Sequence, residues 1–254
     1  MRRSARTWLC AAAVGGWCLL VGTPAYADEI RVVSSVAVKS VLEALMPEFA
    51  RSTKHTITPR FGIAAAMKAG IEGGAPFDVA ILTPAMLDDL AAKGLIAPAP
   101  RPVVARAGLG LMIKAGAPKP DVRSVDAFKR TLLGARAITY VPTGASGVLF
   151  LATLDKLGMT EALKAKGKPA ATGEEVNANI TNGAADLAVL PVSEILPVAG
   201  AQLGGVFPAE IQSYIVMAAG IGARSTRAAA AKEFVEFLTA AKNTPVVRAK
   251  GMER

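Results

Sequence analysis

The chain holds one histidine, His55, and two cysteines, Cys10 and Cys18, both near its start. Nucleophilic catalysis needs a nucleophile, a base and a group that orients the base, all within hydrogen-bond reach. With His55 in the stretch STKHTIT, between a helix end and a strand, and no cysteine after Cys18, the familiar triads cannot be assembled. A solvated loop histidine is expected. Two carboxylate pairs, Asp88–Asp89 and Glu174–Glu175, fall in first turns of predicted helices, where the helix dipole favours acids without any catalytic role. No His/Cys/Asp/Glu spacing suggests a metal site, and GIEGG and GASG lack the partners of a nucleotide loop. The expectation is therefore no enzyme, no metal and no cofactor.

Anion binding asks for less. Where a strand ends in small residues and turns into a helix, free backbone N–H groups stand at the positive end of the helix dipole, and bulky side chains would block a ligand's approach. In EIRVVSSVAVKSVLEAL the β-branched alternation stops at Val33 and helical spacing begins at Val38, with Ser34, Ser35, Val36 and Ala37 at the changeover. The same device recurs. Gly62 to Ala65, including Ala64, precede a second helix; Thr143 to Gly147, including Ser146, precede another; Val176 and Asn177 mark a fourth helix start. Tight strand–helix packing explains small residues equally well at any one turn, but four turns suggest a shared cleft. Thr83 at a strand end and Arg60 at the end of the second strand add polar groups, Arg60 being either a ligand fork or an exposed edge residue.

The elements that must position these residues follow an α/β grammar. Strand, helix, strand, helix, strand run through IRVVS, HTITPRFG and FDVAILT, with Pro84 opening a helix at a tolerated position. A proline-bounded extended segment follows Pro98, and the grammar restarts with RAITYVP, GASGVLFLATLDKLGM, GEEVNANITNG and ADLAVLPVSEI. YIVMAAGIGA reads as a strand returning to the first half, and RAAAAKEFVEFLTA as a helix. This gives two lobes, residues 28–104 with 207–254 and residues 105–206, with ligands expected at the strand ends between them.

Arg2, Arg3 and Arg6, the apolar run WLCAAAVGGWCLLVG and PAYA predict an export signal removed after Ala27, and with it both cysteines. That lowers the net charge from +9 to +6, leaving 26 basic residues against 20 acidic ones. The balance favours the approach of anions. The basic residues are scattered without interleaved aromatics, which argues against nucleic acid.

IRVVSSVAVKSVLEALMPEF, GGAPFDVAILTPAMLDDLAAKG, ASGVLFLATLDKLGM and ADLAVLPVSEI, in that order, resemble the periplasmic molybdate-type substrate-binding proteins of ABC transporters, over nearly the whole chain after the signal. GAPFDV, Gly74 to Val79, is the most specific piece. The resemblance implies a type II periplasmic binding fold, a small anionic ligand held between two hinged lobes, a monomer in the periplasm and transient docking to a membrane permease. It also implies a site: the family's two serine hydroxyls match Ala37 and Ala64, its tyrosine matches Pro191, and its backbone donors match Ser146 and Val176. Each hydrogen bond lost to a charged ligand is worth about 1.5–3 kcal/mol, so three missing hydroxyls weaken molybdate by orders of magnitude. A small organic acid is the other anion expected, and a sensor or interaction protein on the same fold is the alternative function.

Overall fold

The computed structural model describes residues 28–254; the expected signal and its cleavage site lie outside the described residues. The first half contains β1 (Glu29–Ser35), α1 (Lys39–Thr53), β2 (Thr56–Gly62), α2 (Ala64–Glu72), β3 (Val79–Leu82) and α3 (Pro84–Ala92). The long β4 (Val103–Lys114) leads to α4 (Val125–Gly134), β5 (Ile138–Tyr140), α5 (Ala145–Lys156), α6 (Thr160–Lys164), β6 (Gly167–Pro169), α7 (Gly173–Thr181), β7 (Leu187–Pro191), α8 (Val192–Ile195) and β8 (Ala201–Val206). The chain then returns through β9 (Tyr214–Ile221) to α9 (Ala228–Thr239) and α10 (Thr244–Ala249).

The strands form one mixed sheet in the order β2-β1-β3-β9-β4-β7-β5-β6, with β8 added on β4. β1 pairs in parallel with β2 and β3, and β5 with β6 and β7, while β9 and β4 run antiparallel to their neighbours. This is why the helix starts gather. Parallel neighbours end on the same edge, and the register sets Ser35 beside Gly62, so the turns into α1 and α2 lie side by side. β3, continuously apolar in sequence, is buried at every position because helices cover both faces of its sheet.

The main core reaches from Ile30 and Val79 across Val104, Leu109 and Leu111 to Phe150, Val189 and Phe207. Two smaller clusters flank it, one around Leu82 and Leu87, the other around Val176 and Leu190. No helix among the described residues is long and apolar enough to cross a membrane.

Two local expectations are corrected. Asp88 and Asp89 lie in the body of α3 rather than its first turn, because the helix starts at Pro84. Their role is surface pairing, with Asp88 on Arg101 at 2.6 Å and Asp89 on Lys68 at 2.6 Å and Lys93 at 2.9 Å. His55 is not a solvated loop residue. Its side chain is 12% exposed; Nδ1 accepts from the Asp28 N–H at 2.9 Å, and the ring stacks on Phe49. It pins the start of β1 to the core, which accounts for a lone histidine without assigning it chemistry.

Candidate functional site

Four helix starts meet at one small pocket of about 40 Å³, lined by Ser35, Val36, Ala37, Ile63, Ala64, Gly144, Ala145, Ser146 and Gly173, and closed by Pro191 and Glu194. It opens onto a larger space of about 560 Å³, lined from one side by Val36, Lys39, Ser40, Glu43, Phe61 and Gly62, and from the other by Thr172, Gly173, Glu174, Asn177, Ser193 and Glu194. Val36, Ile63, Gly173 and Glu194 belong to both linings.

The structure thus brings Ser35, Val36, Ala37, Gly62, Ala64, Ser146, Asn177 and Pro191 to the two connected spaces. The other sequence candidates fall elsewhere. Ser34 is fully buried and its hydroxyl donates to the Ser35 carbonyl at 3.1 Å. Arg60 is exposed, with its guanidinium lying against Gly70. Thr83 and Thr143 line a mostly apolar groove of about 530 Å³ with Met86, Val148 and Tyr214, and this groove shares Ile63, Ala64, Ala145 and Ile215 with the small pocket. Val176 is buried one turn inside α7, whose first residue is Gly173, and its N–H donates to the Thr172 carbonyl at 3.2 Å. Thr172 caps α7 by accepting from the Glu175 N–H at 3.2 Å, so the helix start lies at Gly173, ahead of Val176 and Asn177. The Ala37 N–H is also engaged, by the Ser35 hydroxyl at 3.3 Å. Of the expected backbone donors, those of Ala37 and Val176 therefore serve the protein itself.

Of the polar groups that stand beside them, Asn177 is among the sequence candidates and Ser40 is not. Ser40 Oγ and Asn177 Oδ1 are buried atoms with no hydrogen-bond partner among the described residues, and they line the larger space from opposite sides. Buried polar atoms are nearly always paired, and each unpaired one costs about 1–3 kcal/mol, so two on residues that line one space are notable. Ser193 Oγ donates to the Ala37 carbonyl at 2.7 Å, a buried bond between the two sides of the cleft. It holds them together at the floor of the larger space. In sequence PVSE reads as a strand entering a turn; the structure makes it the short helix α8.

Charge in the cleft is balanced on one side only. Lys39 pairs with Glu43 at 2.7 Å, and Glu174 is exposed. Glu194 makes no hydrogen bond or ion pair among the described residues. Burial, with a smaller contribution from the negative charge of Glu174, pushes its carboxyl up to about 7. In the unfolded chain it would titrate near 4.5. Between those values the folded state holds a proton that the unfolded state has released, so stability from this group is greatest at low pH and falls as pH rises through 7. We expect wild type to lose about 2 kcal/mol, or on the order of 5 °C in melting temperature, between pH 5 and 8.5, after allowance for screening. In Glu194→Gln that slope should flatten. Calorimetric melting curves at both pH values measure it, and equal slopes would show that the carboxyl is not held neutral.

Among the described residues no group of three His, Cys, Asp or Glu side chains is placed to hold a metal ion.

The chain has counterparts among known proteins. Two curated proteins align along most of the chain: aconitate isomerase from a Pseudomonas species, 25% identical over 94% of this chain and 94% of its own length, and the molybdate-binding protein of Azotobacter vinelandii, 27% identical over 91% and 92%. The solved periplasmic molybdate-binding protein of Azotobacter vinelandii superposes with a TM-score of 0.74 at 23% identity, covering 89% of this chain and 99% of that one, which establishes the type II periplasmic binding fold. Likeness thus extends to binding proteins and to one protein named as an enzyme. The model of bacterial extracellular solute-binding proteins matches residues 30–253, and the chain belongs to that family.

Proposed function

We propose that the chain is the exported receptor of an ABC-type importer and captures a small organic acid between two hinged halves, residues 28–104 with 207–254 and residues 105–206. The observation that carries this reading is a space of about 560 Å³ whose lining from the two sides includes Ser40, Thr172, Asn177 and Ser193, with Ser40 Oγ and Asn177 Oδ1 buried and unpartnered among the described residues. A tetrahedral oxyanion is disfavoured by the chemistry of the small pocket: at the positions matching the family's hydroxyl ligands, Ala37, Ala64 and Pro191 offer none. Pockets that hold small organic ligands span about 300–1,000 Å³ with a few convergent polar groups, as the larger space does. Aconitate, the acid named in one relative, is a three-carboxylate anion of suitable class and the first to try.

The mechanism is closure: a ligand that touches both sides favours the closed arrangement, which the Ser193–Ala37 bond already supports. The closed form would then be delivered to a membrane permease from the periplasm, after loss of residues 1–27.

Isothermal calorimetry against cis- and trans-aconitate, citrate, malate, molybdate, tungstate and sulfate tests it. We expect at least one organic acid to bind more tightly than any oxyanion, with Ser40→Ala and Asn177→Ala each weakening it about tenfold, or 1.4 kcal/mol. Molybdate binding tighter than every acid, or silence across the panel, would overturn the reading.

A further inference from the structure

The groove of about 530 Å³ at Thr83 and Thr143 has no charged side chain in its lining. Its walls come from the starts of α2 and α3, from α5 and from the start of β9, so a molecule filling it touches both sides of the cleft. Val148 on α5 is 55% exposed and Tyr214 on β9 is 41% exposed. Single exposed apolar side chains are ordinary on a protein surface, but two from different elements in one concave space form a surface that a guest can remove from water. The Tyr214 ring is also held in place. The Arg106 guanidinium lies 4.6 Å from its centre, and Arg106 is itself paired with Glu253 at 2.8 Å. A wall fixed in this way needs little ordering when a ligand arrives.

The groove is continuous with the ligand space. Ile63, Ala64, Ala145 and Ile215 line both the groove and the small pocket, and Val36, Ile63, Gly173 and Glu194 line both the small pocket and the larger space. Ile63 belongs to all three linings. Along this row the chemistry changes in one direction. Lys39, Ser40 and Asn177 stand at one end, Ala37, Val141, Leu190 and Pro191 wall the connecting pocket, and Met86, Val148 and Leu149 stand at the other end. The Ser35 hydroxyl in the connecting pocket is already engaged, accepting from the Ala37 N–H at 3.3 Å. A site that is polar at one end and apolar at the other complements a molecule built the same way.

We propose that the guest is an amphipathic acid: its carboxyl end lies in the larger, polar space, and an apolar arm of several carbons runs through the small pocket into the groove. The proposal rests on the organic-acid reading of the cleft and adds the arm to it. Each methylene taken fully out of water tightens binding about fourfold, so the groove gives the affinity that Ala37, Ala64 and Pro191 cannot give through hydrogen bonds. An arm lying against α5 on one side and the starts of α2 and α3 on the other also favours the closed arrangement.

The test is calorimetric titration of the full chain with succinate and with 2-alkyl succinates whose straight arms run from two to eight carbons. Straight arms are the probe because the connecting pocket, at about 40 Å³, is the narrowest of the three spaces. The expected result is one acid per chain, an affinity that rises about threefold per methylene and levels once the groove is full, and a binding heat capacity that grows more negative with arm length. Val148→Asp should flatten the rise, so that long-armed members bind no more tightly than succinate does. Leu133→Asp puts the same charge at a 46% exposed position on α4 outside the groove and should leave the rise intact. Equal affinity along the series would overturn the arm and leave the receptor standing. So would a rise that survives Val148→Asp, a rise lost equally in Leu133→Asp, or more than one acid bound per chain. Silence of the whole series while an acid of the aconitate panel binds would overturn the arm alone. Silence of both the series and that panel would overturn the organic-acid reading and the arm with it.

Discussion

Gly147→Ala is expected to lower the melting temperature by on the order of 10 °C, a loss of at least about 3 kcal/mol, since a chain of 150–250 residues shifts about 2–4 °C per kcal/mol. A β-carbon at this position would lie 1.9 Å from the Val141 carbonyl oxygen and 2.7 Å from its carbon, both backbone atoms. No side chain can swing aside to relieve the contact. Either the first turn of α5 moves away from the end of β5, or the turn through Val141 and Pro142 shifts. Both changes disturb Gly144, Ala145 and Ser146, which wall the small pocket, so ligand affinity should fall together with stability. Thermal melts by circular dichroism and calorimetric titration measure the two losses. A melting temperature within 2 °C of wild type would show that the turn yields at little cost.

Asp78→Ala is the second substitution with a large expected effect, a loss of about 2–3 kcal/mol at neutral pH, since buried donors lose their acceptor while the Arg31 side chain, 37% exposed, can still be solvated. Asp78 is fully buried where β1, β3 and β9 meet. Oδ2 accepts from the Arg31 N–H at 2.8 Å and from its Nε at 3.1 Å, and Oδ1 accepts from the Ser225 hydroxyl at 2.7 Å. Alanine would leave these donors without their acceptor. Burial alone would raise the carboxyl, but the Arg31 side chain, the Arg31 N–H and the Ser225 hydroxyl together hold it below its ordinary value of 3.8. The folded state therefore releases this proton more readily than the unfolded state. Its contribution is present above 3.8 and disappears as pH falls below that value, so the gap between wild type and Asp78→Ala should narrow in acid. Melting curves at pH 7 and pH 2.5 check the sign, and a gap that widens in acid would refute it.

Asp78 lies in the GAPFDV block, and among the described residues it is the only charged residue that is buried. Much of the fold was legible in the sequence. β1, β2, β3, β5, β7 and β9 are apolar or alternating runs bounded by turn residues, and their burial follows from that pattern alone. β8, AQLGGV, was missed because paired glycines weaken strand propensity; it is a strand only because β4 offers it an edge. The site was legible as a gathering of helix starts, since small residues at strand ends record backbone geometry. The groups facing its larger space were less so. Ser40 sits one residue inside α1, Ser193 and Glu194 in a four-residue helix, and nothing in their spacing tells that the tertiary fold turns them inward. Arg60 failed in the opposite way, being chemically apt but on a strand edge that faces away.

β4 is a single twelve-residue strand whose first half pairs with β9 and whose second half pairs with both β7 and β8. Side chains alternate along it, so slipping by one position would turn inward residues outward in both halves of the molecule together. The irregularity between Leu111 and Met112 is the place where the ladder with β8 already tolerates an offset. Gene-level changes that add or delete one codon between 103 and 110 should consequently be purged, while those that lengthen the tight loops at Gly116 or Gly158 would persist as neutral variation.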